Sequence, residues 1–186
     1  MQLDDVLEVV AAHRGNHVVM ATMSAIGAWP RFSDTPLDFC YLPSSMGLGP
    51  SLALGMALAQ DRHGVIVLAG DGSTLMHLGA LATLAAYPAA VYLVVLNNGI
   101  YEVTGGQRTV GSMAVNFVQA AQAMGFRRTC RFADKAAWQS GAAAALSGPG
   151  PVLIELPIEP RFGQKTPRPP RPMAEQLVRL RAALAS

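Results

Sequence analysis

Two uninterrupted apolar runs constrain the fold of this chain more than any other feature. The runs VIVLA (65–69) and VYLVVLN (91–97) show no alternation of apolar and polar residues. Strands of this kind are buried on both faces, as happens when helices cover both sides of a parallel sheet. Between the two runs, residues 74–86 are predicted to form a helix, which is the crossover that two parallel strands need. The pattern therefore predicts a β-α-β unit.

The same alternation of strands and helices continues through most of the chain. Further strands are predicted at 17–23, 38–42, 126–132 and 151–158, and further helices at 3–13, 50–60, 113–124 and 134–147. Together these segments predict an α/β fold, a doubly wound, mostly parallel sheet with helices on both faces. The glycine-rich segment 99–112 has no clear period and is predicted to be a loop over a site.

The composition changes near residue 160, which predicts one α/β domain over 1–160 and a separate tail over 161–186. The tail holds six basic residues and one acidic residue. Its first part is rich in proline and is predicted to be an extended linker, followed by an amphipathic helix at 173–185. The tail has no interleaved aromatic residues, so we expect a solvated or partner-docking extension rather than a nucleic-acid-binding segment.

The remaining bulk features predict a cytoplasmic protein that does not bind membranes. No apolar run reaches the roughly 18 residues expected of a membrane span. The first ten residues, MQLDDVLEVV, are acidic and amphipathic, unlike a secretory signal. Cys40 and Cys130 form no metal-binding or disulfide pattern, and a reducing cytoplasm is the simplest setting for them.

The stretch GDGS (70–73) places an acidic residue where a phosphate would be expected. A glycine turn between a strand and a helix favours phosphate binding, but the Asp71 carboxylate would repel a phosphate. The acid is understandable if a divalent cation lies between the two, since Mg²⁺ is often shared by protein oxygens and substrate phosphates. Asn98 follows the next strand, 27 residues after Asp71. The two side chains are therefore expected to lie side by side at the carboxyl end of the sheet.

Gly70-Asp71-Gly72 followed by Asn97-Asn98 resembles the cofactor motif of the thiamine diphosphate-dependent enzymes. The resemblance implies that Mg²⁺ is bound by Asp71, Asn98 and the main-chain carbonyl of Ile100. It also implies thiamine diphosphate as the cofactor, held by Ser44, Met46, Gly70, Gly72, Ser73, Asn98, Ile100 and Tyr101. From the residues alone, the two motif halves could also be a capped helix start and a strand end.

Met46 provides a second match to the same family. Decarboxylases of the family carry a large aliphatic residue about 25 positions before the motif aspartate, where it holds the cofactor in a V shape. Met46 lies at this spacing. The resemblance implies that it aligns the two rings of the cofactor, with the Ser44 carbonyl accepting a hydrogen bond from the pyrimidine amino group. From the sequence alone, a core methionine at a helix start remains an alternative.

The resemblance covers nearly all of residues 1–160, but only as the diphosphate-binding domain of such enzymes. The glutamate that activates the pyrimidine ring belongs to a second domain, and Glu102, Glu155 and Glu159 do not lie in its motif. We therefore expect half of an active site, completed by a pyrimidine-domain subunit that carries the catalytic glutamate. A hetero-oligomer is expected, with a homodimer as the alternative for the isolated chain.

The stretch NNGIYEVTGGQ (97–107) resembles the β subunits of sulfopyruvate and phosphonopyruvate decarboxylase-like systems. This resemblance implies a carboxy-lyase that acts on a 2-oxo acid, with Met46 and Thr104 as catalytic residues. Arg108 is the best local candidate for a cation near a sulfonate or phosphonate group. Two alternatives remain: an acetolactate synthase-like carboligase, and a non-catalytic module that binds thiamine diphosphate.

Overall fold

A computed structural model of the chain describes residues 1–111, 114–165 and 167–185. The helices are α1 (Leu3–His13), α2 (Ser24–Ala28), α3 (Gly49–Ala59), α4 (Asp71–Met76), α5 (Ala80–Ala85), α6 (Phe117–Ala123), α7 (Lys135–Ala145) and α8 (Met173–Ala185). The strands are β1 (Val18–Ala21), β2 (Asp38–Cys40), β3 (Val65–Gly70), β4 (Val91–Asn97), β5 (Ile100–Tyr101), β6 (Gln107–Arg108), β7 (Arg128–Arg131) and β8 (Val152–Pro157).

Six of these strands form one parallel sheet in the order β2-β1-β3-β4-β8-β7. After β1 the chain moves outward to β2 and then returns to form β3 on the other side of β1. The winding direction therefore reverses between β1 and β3, and ligands of doubly wound sheets bind at the carboxyl ends of strands at such a point. The predicted doubly wound α/β fold is confirmed.

Each face of the sheet carries its own apolar core. Along β3, Ile66 and Leu68 pack with α1, α2 and α7 on one face, whereas Val65, Val67 and Ala69 pack with α3, α5, α6 and α8 on the other. Successive strand side chains point to opposite faces, so both sets of positions must be apolar. This arrangement explains the uninterrupted apolar run that the sequence shows at 65–69.

The structure departs from the predicted elements in three places. The helix predicted at 74–86 is divided into α4 and α5, because the backbone of His77 leaves the helical region. The segment predicted as a loop at 99–112 contains a short antiparallel hairpin of β5 and β6. The helix predicted at 113–124 is α6, which begins at Phe117; Met113 lies outside the described residues.

The tail packs against the domain instead of extending into solvent. Helix α8 lies beside the edge strand β2, where the Gln176 side chain accepts a hydrogen bond from the backbone N–H of Cys40 at 2.8 Å. Leu180 is buried in the core on this side of the sheet. Covering an edge strand in this way prevents its unpaired backbone groups from pairing with another chain. Within the described part of the chain, no helix has the length and apolar character to cross a membrane.

Candidate functional site

Met46, the GDGS stretch (70–73) and the beginning of the glycine-rich segment meet in one crevice at the carboxyl end of the sheet. The crevice is lined by Met46, by Gly70–Ser73, by Asn98 and by Ile100–Thr104. Strands β3 and β4 are neighbours, with Gly70 opposite Leu96. The residues that follow these two strands are therefore brought together, as the strand-end argument predicts.

Asp71 supplies the carboxylate of the glycine turn, and its side chain is almost fully buried. The residue is 1% exposed. Its Oδ2 atom accepts a hydrogen bond from the Thr109 hydroxyl at 2.7 Å, whereas Oδ1 is buried with no donor among the residues that the structure describes. Burial raises the pKa of Asp71, although the bond from Thr109 and nearby backbone N–H groups oppose the rise. A buried carboxylate oxygen without a donor is costly, and a cation would compensate it.

The second predicted metal ligand is already oriented by its own backbone. Asn98 Oδ1 accepts a hydrogen bond from the N–H of Ile100 at 3.0 Å. An amide oxygen has two lone pairs, so this bond fixes the oxygen and leaves one acceptor position for a cation. Asn97 faces elsewhere, since its amide donates to Glu155 Oε1 at 2.9 Å and the residue does not line the crevice.

The donor set suits Mg²⁺ better than a transition metal. Among the described residues, no group of three His, Cys, Asp or Glu side chains is placed to hold a metal ion. A metal in this crevice would be held by one carboxylate together with neutral oxygens. Mg²⁺ is commonly bound by one or two carboxylates and by substrate phosphates, whereas Zn²⁺ favours Cys and His. The residues present therefore fit a magnesium diphosphate.

An aromatic contact explains one glycine of the site, and a positive φ explains another. A Cβ on Gly72 would lie 2.4 Å from Tyr101 Cε1, so the tyrosine ring packs directly on the glycine turn. Gly47 has a φ of +87°, which favours glycine. Its N–H donates to the Ser73 hydroxyl at 2.7 Å and thereby ties the Met46 segment to α4.

The other predicted site residues are divided between the crevice and its surroundings. Met46 is half-buried and lines the crevice, and it is not among the residues of either apolar core. Thr104 is exposed at the crevice. Ser44 and Arg108 do not line it, and Arg108 lies exposed on β6. The Ser44 hydroxyl is buried without a hydrogen-bond partner in the described ranges.

Sequence reasoning missed Met23 and Ser24, which also line the crevice. Met23 has a φ of +47°, a strained conformation that costs roughly 1–3 kcal/mol and often occurs at functional sites. The preceding residue, Thr22, anchors this turn through a hydrogen bond from its hydroxyl to the Leu68 carbonyl at 2.8 Å. The signal was available, because the strand predicted at 17–23 ends at Met23 and ligands of such sheets bind at the carboxyl ends of strands.

Two further polar residues of the site had no signal in the sequence. Thr109 is buried and bonds the Asp71 carboxylate, but it lies in a segment without periodicity. Glu102 is buried at the crevice and paired with Arg161. In the sequence, Glu102 was considered only for the role of the catalytic glutamate, and it does not lie in the motif for that role. Its pairing with the tail was not predicted.

Comparisons with known proteins identify the family of the chain. Residues 15–156 match the family described as "Thiamine pyrophosphate enzyme, C-terminal TPP binding domain". The chain is 41% identical over 128 residues to the sulfopyruvate decarboxylase subunit beta of Methanothermobacter thermautotrophicus, covering 68% of this chain and 65% of that one. It is 42% identical over 121 residues to the phosphonopyruvate decarboxylase of Streptomyces hygroscopicus, covering 64% of this chain and 30% of that one.

A solved structure shows the same fold at lower identity. The thiamine diphosphate-dependent 4-hydroxybenzoylformate decarboxylase of Rhodococcus jostii RHA1 superposes with a TM-score of 0.71 and 23% identity, over 87% of this chain and 33% of that one. The chain thus spans less than two thirds of the length of each of these relatives. The family match, which covers most of the chain, and the crevice built around Asp71 lead to one assignment: the chain belongs to the thiamine diphosphate-dependent enzymes, in the family of their C-terminal cofactor-binding domain.

Proposed function

We propose that the chain is the thiamine diphosphate- and Mg²⁺-binding subunit of a 2-oxo acid decarboxylase of the sulfopyruvate or phosphonopyruvate type. The observation that carries the proposal is the buried Asp71 carboxylate, whose Oδ1 atom has no donor in the described part of the chain. Similarity to a sulfopyruvate decarboxylase β subunit supports the substrate class. A separate pyrimidine-domain subunit with the catalytic glutamate completes the site in this proposal.

Different residues of the chain bind the metal and the diphosphate in this proposal. Asp71 Oδ1, Asn98 Oδ1 and the Ile100 carbonyl hold Mg²⁺. Main-chain groups of Gly70, Gly72 and Ser73 hold the diphosphate, and the first turn of α4 favours its negative charge. Tyr101, whose ring packs on Gly72, closes one side of the crevice.

The reacting end of the cofactor lies with Met46 and Thr104 in this proposal. Bound thiamine diphosphate supplies a nucleophilic carbon for the 2-oxo acid carbonyl and takes up the electron pair released with carbon dioxide. Met46 keeps the cofactor rings aligned by filling space behind them. Thr104, exposed at the crevice, offers a hydroxyl to the substrate.

Exposed apolar residues on α3 and α4 support a protein partner. Met76, the last residue of α4, is 53% exposed, and Leu58 on α3 is 56% exposed. Helix α3 is apolar along most of its length. Exposed apolar surface of this kind marks sites of protein association, and the proposed pyrimidine-domain subunit would cover it.

Carbon dioxide release from pyruvate, sulfopyruvate and phosphonopyruvate tests the proposal, with this chain and the pyrimidine-domain subunit assayed separately and mixed. We expect release only from the mixture. Asp71→Ala should abolish thiamine diphosphate binding by the assembled enzyme, and Asn98→Ala should weaken it. Asn97→Ala is the matched control, because its side chain points away from the crevice, and it should leave cofactor affinity unchanged.

Each alternative predicts a different outcome of the same assay. A carboligase would release carbon dioxide and form an acetolactate-like product from pyruvate. A non-catalytic module would bind the cofactor without carbon dioxide release by any mixture. Robust decarboxylation by this chain alone would contradict the half-site argument.

A further inference from the structure

The buried carboxylate of Glu102 is held by the beginning of the tail. Glu102 Oε1 accepts hydrogen bonds from the Arg161 backbone N–H at 2.9 Å and from Nε at 3.2 Å, and Oε2 accepts one from Nη2 at 3.1 Å. The side chains are 2% exposed for Glu102 and 28% exposed for Arg161. Both carboxylate oxygens are thus satisfied by one residue from outside the matched segment 15–156.

Glu102 stands between residues of the candidate cofactor site. It begins a short 3-10 turn, Glu102–Thr104, that follows β5 directly. The residue before it, Tyr101, packs on Gly72, and Thr104 at the end of the turn lines the crevice. The orientation of this turn therefore sets where Tyr101 and Thr104 face the crevice.

The rest of the tail makes two further contacts with the domain. A Cβ on Gly106 would lie 3.1 Å from Phe162 Cδ1, so the Phe162 ring packs on the turn between β5 and β6. Farther along, Arg171 donates to both carboxylate oxygens of Asp34 at 2.7 Å. The tail is therefore fixed at two points, one at the crevice and one beside β2.

We infer that Arg161 is a positioning residue, which acts through Glu102 to hold the turn at 102–104, and with it Tyr101 and Thr104, in the orientation that the cofactor site needs. The inference rests on the proposed function of the crevice. A buried carboxylate that loses its cation is strongly disfavoured. Without Arg161, Glu102 moves toward water and takes the turn with it. Lysine is a poor replacement, because a point charge cannot engage both oxygens as the guanidinium fork does.

Hydrogen exchange of the full chain tests the positioning without any cofactor. In Arg161→Ala and in Glu102→Gln, backbone amides of residues 100–108 should exchange faster by a factor of roughly ten to a hundred, the range for losing a hydrogen bond to a charged group. Arg171→Ala is the matched control: it removes another arginine–carboxylate pair of the tail and should leave exchange at 100–108 unchanged. Unchanged exchange at 100–108 in Arg161→Ala would overturn the inference.

Cofactor affinity of the assembled enzyme tests the consequence for the site. We expect weaker thiamine diphosphate binding by roughly tenfold or more in Arg161→Ala and Glu102→Gln, and no further loss in the double variant, because the two residues act as one unit. Arg161→Lys should recover only part of the loss. Wild-type affinity in Arg161→Ala, or additive losses in the double variant, would show that Arg161 does not act through Glu102. Absence of cofactor binding by the wild-type enzyme would instead refute the proposed function, while the exchange measurements would still decide the role of Arg161.

Discussion

Replacing Asp71 by asparagine should make the cofactor-free chain more stable while it destroys the metal site. The carboxylate is 1% exposed, and its Oδ1 has no donor among the described residues. Among the described residues, no lysine or arginine forms an ion pair with the Asp71 carboxylate. The folded protein therefore keeps a buried charge that the Thr109 hydroxyl and nearby backbone N–H groups balance only in part.

The size of the gain follows from these contacts. A buried polar group without a partner costs about 1–3 kcal/mol, and more when it is charged. Asparagine keeps the oxygen that accepts from Thr109 and places a neutral amide where the unpartnered Oδ1 lies. We expect the free energy of unfolding to rise by about 1–2 kcal/mol at neutral pH. For a chain of this size that corresponds to a Tm about 2–8 °C higher.

The pH dependence of unfolding identifies the cause. Burial raises the folded-state pKa of Asp71 above its ordinary value of 3.8, so the folded protein binds the proton more tightly than the unfolded chain. The wild type therefore gains stability as pH falls through the folded-state pKa toward 3.8. The gain in the free energy of unfolding from Asp71→Asn should be fully present above the folded-state pKa of Asp71, and it should disappear below the pKa of Asp71 in the unfolded chain.

Thermal and denaturant unfolding of the full chain without cofactor measures this difference. Glu155→Gln is the matched control: Glu155 is also a buried acid with one unpartnered oxygen, but Arg131 Nε lies 3.7 Å from its Oε1. Neutralising a carboxylate that has a cation beside it should bring no comparable gain. An Asp71→Asn variant that is less stable than the wild type at neutral pH would refute the argument, as would an advantage that does not change with pH.

Three further predictions concern single side chains. Thr109→Val should weaken Mg²⁺ and cofactor binding by about 1.5–3 kcal/mol, whereas Thr109→Ser should retain the wild-type affinity. Equal affinities of the two variants in calorimetry would contradict the role of the hydroxyl. Met46→Ala should keep cofactor affinity but lower turnover by roughly a hundredfold, as misplacement of reacting groups by about 1 Å can do; wild-type kcat would show that Met46 is not needed for alignment. Burial lowers the pKa of His17, whose Nδ1 accepts from the Gly64 N–H at 3.1 Å and whose Nε2 lies 3.1 Å from the Leu146 carbonyl. The folded protein therefore binds this proton less tightly than the unfolded chain, and the free energy of unfolding should fall as pH drops below 6.5. In His17→Gln that fall should be smaller. An equal fall in the variant and the wild type between pH 7 and about pH 5 would contradict this role of His17.

The amino-acid sequence by itself determined the sheet and the place of its functional edge. The apolar runs at 65–69 and 91–97 require cover on both faces, and the structure provides it with helices on each side. Strand periodicity and the ends of apolar runs are local properties, so they can be read without knowing the path of the chain. The carboxyl ends of neighbouring parallel strands lie at one edge, which was enough to bring Asp71 and Asn98 together.

Local sequence patterns could not show where the predicted helix breaks or where the asparagine side chains at the end of β4 point. The division of the predicted helix 74–86 into α4 and α5 was hidden because leucines recur at helical spacing across the break, at positions 75, 78, 81 and 84. Side-chain direction at the end of β4 was also open. Only the structure shows that Asn97 turns to Glu155 while Asn98 stays at the crevice.

Contacts between distant segments were decided by the tertiary structure alone. Thr109 bonds Asp71 across 38 positions, and Arg161 bonds Glu102 across 59. These residues lie in segments without periodicity, where the sequence carries no signal for direction or partner. Their pairing depends on the path of the chain around the sheet, because a buried carboxylate is stable only where the fold brings a donor to it. The sequence thus determined which acid stands at the edge of the sheet, and the tertiary structure decided which of its oxygens is left for a metal.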